Sequence, residues 1–218
     1  MKDFAELVCI LDKSGSMSGL EKETLGGFNG FLEKQQAMEG EAVLTTVLFS
    51  DEIQVIHDRC PVKGVRPLTG RDYEPEGCTA LLDALGKTLT QVRENQRRLI
   101  PAFRPERTIV VVITDGMENA SREYTLDRVR KLIAQCKEDG WEFLFLGANM
   151  DAVAEAAKVG LDANDAANYV SDAKGSGLAY SNGPVPAPGR PADRCFLEKR
   201  SGKLSRERTL KEAALAFC

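Results

Sequence analysis

Short apolar runs alternate with helical patterns along most of the chain. Strand-like runs fall at about 5–11, 43–50, 53–58, 107–114 and 142–147. Between most of them, apolar residues recur every three or four positions, which predicts amphipathic helices at about 20–38, 79–98, 125–139 and 151–159. Because strands and helices alternate, the pattern predicts a mainly parallel sheet covered by helices on both faces.

One pair of runs breaks the alternation. The runs at 43–50 and 53–58 are separated only by Asp51-Glu52, which is too short for a crossover helix and predicts an antiparallel hairpin. The predicted fold class is therefore α/β: a doubly wound, Rossmann-like sheet with one antiparallel edge hairpin. The sole histidine, His57, lies on this hairpin, and we expect it to be a strand surface residue and not a catalytic base.

The composition changes after about residue 170, so we assign residues 1–170 to one domain. Residues 171–193 are rich in Gly, Ser, Pro and Ala, a composition typical of a linker. Residues 190–218 hold eight Lys and Arg against four Asp and Glu, so this tail carries a net charge of +4. A short helix is predicted at about 204–216, from the spacing of its leucines and alanines.

The overall composition narrows the class of protein. The net charge is −4, which argues against a dedicated nucleic-acid binder because such proteins carry a basic surface. No run of 18 apolar residues predicts a membrane span, and we expect no signal peptide before the first strand. The six cysteines include no C-x-x-C pair. We therefore expect a cytoplasmic protein with reduced thiols.

Oxygen-bearing side chains follow two of the predicted strands and precede one helix. They are Asp12, Ser14 and Ser16 after the first strand, Asp115 after the run at 109–113, and Thr79 before the second helix. In open α/β sheets, ligands bind at the carboxyl ends of the strands, so we expect the five side chains to meet at one edge. Two carboxylates and three hydroxyls suit a hard divalent cation.

These segments resemble a known motif. Asp12-x-Ser14-x-Ser16, Gly77-x-Thr79 and Thr114-Asp115-Gly116 look like the metal-ion-dependent adhesion site (MIDAS) of von Willebrand factor type A (vWA) domains. A D-x-S-x-S match alone is a weak signal, whereas three segments in the right order are a strong one. The resemblance covers about residues 4–170, and the turns at 114–121 and 145–151 are similar to those of a bacterial and phage-type cytosolic subgroup.

The resemblance implies a ligand set and a role. Ser14 and Ser16 would bind Mg²⁺ or Mn²⁺ directly, Asp12 and Asp115 directly or through water, and Thr79 in a way that changes with state. The open coordination position would take an Asp or Glu carboxylate from a partner protein, for instance an ATPase-type machine. The implied function is a metal-dependent protein-interaction module and not an enzyme.

The same residues also have simpler interpretations. Ser16 or Ser18 could cap the first helix, Thr79 could cap the second, and Asp115 could be a turn residue. For Lys13 we favour a solvated side chain over one that binds an acidic partner. Glu118 and Asn119 would either orient the metal ligands or simply begin the loop into the next helix, and the sequence favours neither.

Two other functions remain open on sequence alone. A metal-assisted phosphohydrolase could use Asp12, but the haloacid-dehalogenase phosphatases need a second Asp two residues later, where this chain has Ser14. The metal could also be purely structural in a scaffold that works through another face. One departure from the family concerns the tail: three prolines at 183–189 interrupt the region where related proteins have a closing helix.

Overall fold

A six-stranded sheet forms the centre of the computed structural model, which describes residues 4–148 and 150–169. Its strands are β1 (Phe4–Asp12), β2 (Glu41–Phe49), β3 (Ile53–Pro61), β4 (Arg107–Thr114), β5 (Glu142–Ala148) and β6 (Ala166–Tyr169), in the order β3-β2-β1-β4-β5-β6. The pair β2–β3 is antiparallel and the other neighbours are parallel. The predicted fold class is confirmed.

Helices lie on both faces of the sheet. They are α1 (Glu21–Ala37), α2 (Leu81–Arg98), α3 (Leu126–Glu138) and α4 (Ala152–Lys158). In β1, Leu7 and Leu11 pack in the same cluster as the α1 residue Phe28, whereas Val8 and Ile10 pack with α2, α3 and α4. All nine residues of β1 are buried, as expected of a parallel strand that is covered on both sides.

The centre of the sheet determines where the polar loops emerge. β1 lies between β2 and β4, and Leu11 is paired in register with Ile113. Asp12 and Thr114 therefore leave the sheet side by side at its carboxyl edge. The strand order reverses at β1, which is the position where α/β sheets form ligand-binding crevices.

Three local features differ from the sequence prediction. β6 was not predicted, because Ala166–Tyr169 has no apolar run and gains its strand structure by pairing with β5. β3 extends to Pro61, and α2 begins at Leu81, two residues later than expected. The linker predicted at 171–193 and the helix predicted at 204–216 lie outside the described residues, as does position 149 in the turn at 145–151.

The described cysteines differ in burial, and the histidine lies on the edge hairpin, as the sequence predicted. Cys9 and Cys136 are buried in the two cores, and burial raises the pKa of the Cys136 thiol to about 12. Cys78 is exposed, and His57 is half-buried on the edge strand β3. Over the described part of the chain, no helix is both long and apolar enough to cross a membrane.

Candidate metal centre

Three loops that are distant in sequence meet at the carboxyl edge of the sheet. The hydroxyl oxygen of Ser14 lies 3.0 Å from that of Ser16 and 3.0 Å from that of Thr79. The Ser16 hydroxyl donates a hydrogen bond of 2.6 Å to Oδ1 of Asp115. The structure thus brings four of the five predicted side chains into one chain of oxygen atoms.

The fifth, Asp12, lies beneath this chain of oxygens and is fully buried. Its carboxylate accepts hydrogen bonds from the Ser14 backbone N–H at 2.7 Å and from the Thr114 hydroxyl at 2.5 Å. Burial raises the pKa of the Asp12 carboxyl above its ordinary value, and the nearby Asp115 charge adds to this. Hydrogen bonds from Thr114 and from the side chain and backbone of Ser14 oppose the rise only in part.

No cation from the protein balances these two carboxylates within the described residues. The donors to Asp12 are neutral groups, and the ion pairs of the described lysines and arginines involve other carboxylates. A buried carboxylate without a counter-charge is costly, because it loses its hydration. The site therefore favours a cation supplied from outside the chain.

Backbone contacts hold the first two loops together. The Gly15 N–H donates to the Gly77 carbonyl at 3.0 Å, and the Tyr73 hydroxyl donates to the Asp12 carbonyl. Lys13 pairs with Glu76 at 2.9 Å and only 12% of its side chain is exposed. The expectation of a solvated Lys13 is therefore wrong, because Glu76 comes from a loop that the sequence could not place nearby.

The third loop positions Thr79. The Thr79 N–H donates to Oδ1 of Asn119 at 2.9 Å, and the Thr79 carbonyl accepts from the N–H groups of Asn119 and Ala120. Glu118 accepts from the N–H of Leu82 at 2.8 Å and from that of Ser121 at 2.7 Å. Asn119 thus holds the backbone of Thr79, whereas the contacts of Glu118 are with α2 and with its own loop, which fits both interpretations.

The capping interpretations do not fit the structure. The residue that precedes α1 is Leu20 and the one that precedes α2 is Ala80, and neither residue caps its helix with a side chain. Thr79 directs its hydroxyl to Ser14 instead. Asp115 does lie in a turn, and its carboxylate accepts the Ser16 hydroxyl.

Sequence reasoning missed Asp83, which anchors the third loop to α2. Its carboxylate accepts hydrogen bonds of 2.7–2.9 Å from the N–H groups of Arg122, Glu123 and Tyr124. Burial by itself would raise the pKa of Asp83, but these three hydrogen bonds outweigh it and hold the pKa below its ordinary value. An acid in the first turn of a helix is visible in the sequence, whereas its partners about 40 positions away are not.

Exposure changes across the centre. Ser14 and Thr79 are buried, whereas Ser16 is exposed and Asp115 is half-buried. Gly116 packs closely over this side: a Cβ atom there would lie 2.8 Å from Oγ1 of Thr79 and 3.1 Å from Oγ of Ser16. The centre is thus closed below and open toward solvent on one side.

The oxygen spacing allows a test of whether magnesium fits. Mg²⁺ binds six oxygens at about 2.1 Å in an octahedron, so neighbouring ligand oxygens lie about 3.0 Å apart. The Ser14–Ser16 and Ser14–Thr79 contacts are hydrogen bonds of 3.0 Å, and their length also equals that of such an edge. The shorter Ser16–Asp115 contact is a hydrogen bond, which suits Asp115 as a group that orients Ser16 or binds through water. Most of the oxygen atoms at this site belong to hydroxyl groups. The described residues contain no cluster of three or more acidic, His or Cys side chains that could hold a metal ion.

Solved structures with a similar fold include several adhesion and matrix proteins. Proximal thread matrix protein 1 from the mussel byssus, with a zinc-occupied MIDAS motif, matches 77% of this chain at 16% identity and a TM-score of 0.51. The vWF domain of the pili tip protein Mfa5 from Porphyromonas gingivalis matches 76% at 10% identity and a TM-score of 0.52. The pilus adhesin SpaC from Lactobacillus rhamnosus GG matches 75% at 10% identity and a TM-score of 0.58.

These likenesses define the class of fold. The matched part spans 41% of the mussel protein, 89% of the Mfa5 domain and 28% of the adhesin. No protein-family model and no curated protein matches the sequence. The chain has the fold of a von Willebrand factor type A domain, as the three sequence segments predicted.

Proposed function

We propose that the chain is a metal-ion-dependent protein-interaction module. In this proposal Ser14, Ser16 and Thr79 bind a single Mg²⁺ or Mn²⁺ ion, and Asp12 and Asp115 bind it directly or through water. The observation that carries the proposal is the pairing of two carboxylates without a protein cation and three hydroxyls at the spacing of an octahedral edge. The zinc-occupied motif in the mussel protein supports a divalent cation at such a centre.

The open side of the centre indicates what the ion would do. Neutral hydroxyls donate little charge, so a bound cation would stay electrophilic and would attract an acidic side chain. Ser16 and Asp115 lie on the solvent side, where a carboxylate of a partner could approach. We infer a partner that presents an exposed Asp or Glu, and an ATPase-type machine is our candidate.

Affinity capture tests the proposal. Immobilised full-length chain is incubated with extract of its source cells in Mg²⁺ buffer and then eluted with EDTA, and the eluate is identified by mass spectrometry. We expect a partner that EDTA releases, that Ser16→Ala fails to capture, and that Ser18→Ala still captures. Ser18 is the matched control, because it is an exposed serine two residues from Ser16. A partner retained in EDTA would contradict the metal bridge.

We also propose that the module is not an enzyme. Position 14, where a phosphohydrolase of the haloacid-dehalogenase type needs its second Asp, holds a buried serine that contacts Thr79. The half-buried His57 lies on the edge strand β3, away from the ligand loops. Hydrolysis of a generic aryl phosphate that depends on Asp12 would overturn this part of the proposal.

The cellular context is part of the same proposal. We assign the chain to the bacterial and phage-type cytosolic subgroup on the basis of its turns at 114–121 and 145–151. Among the described residues, Cys9, Cys60, Cys78 and Cys136 are free thiols, which agrees with a reducing cytoplasm. Fractionation of the source cells with an antibody to the chain would test the location.

A further inference from the structure

A wide groove lies between the edge hairpin and α2, on the face of the sheet opposite α1. Its volume is about 1320 Å³, and its floor includes Val47, Ile53 and Val55 of β2 and β3. Thr88 and Gln91 of α2 line the opposite wall. Val55 is 57% exposed, so this part of the sheet face is apolar and uncovered. We name this feature the β3–α2 groove.

The rim of the β3–α2 groove is acidic. Six acidic residues line it, namely Asp51, Glu52, Asp58, Asp83, Glu94 and Glu123, against two basic residues, Lys87 and Arg122. Of the six, Asp83 is buried and Glu94 pairs with Arg98 at 3.5 Å. Lys87 is already paired with Glu123 at 2.6 Å. Exposed Glu52 and Asp58 form no ion pair with a described residue. The groove therefore favours an occupant that is basic and carries apolar side chains.

One segment of this chain has that chemistry. Residues 190–218 carry a net charge of +4, while the remainder of the chain carries −8. Within this segment Leu210, Ala213, Ala214 and Phe217 recur at three- and four-residue spacing, and Lys203 and Lys211 are interspersed with them. That pattern would present an apolar stripe with basic flanks if the segment were helical.

The length of the chain allows the segment to reach the groove. β6 ends at Tyr169 on the opposite edge of the sheet from β3, five strand spacings away, or about 24 Å. The 20 residues at 170–189, which precede this segment, would have a root-mean-square span of about 25 Å with the dimensions of a flexible linker. The effective concentration of a tethered segment at this distance is in the millimolar range.

We propose that residues 190–218 dock into the β3–α2 groove of their own chain, with the basic side chains against the acidic rim and the apolar stripe on Val55. The groove also includes Cys78, which adjoins Thr79 of the metal centre. The docked segment would therefore lie beside the centre. This inference does not depend on whether the centre binds a metal.

Zero-length cross-linking of the full-length chain tests the docking. A carbodiimide joins lysine amines to carboxylates in direct contact, and a mixture of ¹⁴N- and ¹⁵N-labelled protein separates links within a chain from links between chains. We expect links within one chain from Lys203 or Lys211 to Asp58 or Glu94. The double variant Asp58→Lys/Glu94→Lys should lower the yield of links from these lysines to Glu52, a groove carboxylate that the variant keeps, at least fivefold, as measured by mass spectrometry.

A matched control makes the result specific. Glu138→Lys changes an exposed acid of α3 that does not line the groove, and it should leave the yield of links to Asp58 and Glu94 unchanged. Tail lysines linked to carboxylates outside the groove, or no link from the tail at all, would overturn the proposal. Links found only between differently labelled chains would also overturn it and would instead indicate a groove filled by a second copy.

Discussion

Two carboxylates on the same strand, Asp12 and Glu6, are both fully buried, but only one of them has a counter-charge within the chain. Glu6, nearer the amino end of β1, contacts the guanidinium of Arg59 at 2.5 Å and accepts a hydrogen bond of 2.8 Å from Gln96. Asp12, at the carboxyl end, accepts hydrogen bonds only from neutral groups among the described residues. One end of the strand thus has its counter-charge within the chain, and the other end lacks it.

The difference identifies which buried charge is structural and which is available to a ligand. Burying a charge costs several kcal/mol unless a partner compensates for it. Glu6 has Arg59, whose backbone adopts the left-handed conformation with φ of 49° to reach its position. Asp12 has three hydroxyls nearby and an opening to solvent. We therefore expect removal of Glu6 to affect folding and removal of Asp12 to affect cation binding.

The largest expected effect is on stability at the Glu6 end. Glu6→Ala leaves the Arg59 guanidinium, whose side chain is 20% exposed, without its partner, and we expect a loss of about 3 kcal/mol in the free energy of unfolding. Urea denaturation in EDTA measures it, with Glu138→Ala on the surface of α3 as the control. The Mn²⁺ affinity of the folded variant should stay within about twofold, or about 0.4 kcal/mol, because Glu6 lies toward the other end of β1 from the metal centre. A Glu6→Ala protein as stable as the wild type would contradict the assignment of Glu6 as a structural charge.

Asp83 sharpens the comparison, because three backbone N–H groups stabilise its charge, with a smaller contribution from Lys87. Asp83→Asn should cost about 2 kcal/mol at neutral pH, since it replaces charge-assisted hydrogen bonds with neutral ones. Because the folded pKa of Asp83 is depressed, its contribution is complete above the unfolded pKa and is lost as the pH falls through the folded pKa. Unfolding curves of both proteins should therefore converge below the ordinary Asp range. A gap that does not depend on pH would contradict this assignment.

A smaller effect is expected at Gly116. A Cβ atom there would press on Thr79 and Ser16, so Gly116→Ala should lower Mn²⁺ affinity about tenfold, or about 1.4 kcal/mol, with little change in stability. Gly26→Ala is the control, since a Cβ at this exposed helical position meets nothing within 4 Å. It should leave the affinity unchanged and raise stability by up to about 1 kcal/mol. Equal affinities in the two variants would show that Gly116 does not shape the centre.

The sequence predicted the fold well where a local pattern determines it. The apolar runs of β1, β2 and β4 and the two-residue link to β3 were sufficient for the class of fold and for the edge hairpin. β6 could not be predicted, because its four residues depend on pairing with β5. The five oxygen-bearing residues of the candidate centre were found because each lies next to a strand or helix whose pattern is clear.

What the sequence could not predict are contacts between distant segments. Glu6 is 53 positions from Arg59 and 90 from Gln96, and no pattern connects them. The same holds for the contact between Asp83 and the loop at 122–124 and for the pairing of Lys13 with Glu76, which no sequence pattern predicts. Such pairs arise from the topology of the sheet, which places loops side by side irrespective of their separation along the chain.

The most direct test of the metal centre is a calorimetric Mn²⁺ titration of the wild type and of Asp12→Asn. The variant keeps the size of the side chain and removes its charge, and the Thr114 hydroxyl can rotate to accept from the new amide, so the variant should remain folded in EDTA. We predict one ion per wild-type chain and a loss in affinity of at least about 100-fold in the variant, or about 2.7 kcal/mol. Equal affinity in the two folded proteins would contradict the account, because Asp12 would then have no part in binding a cation.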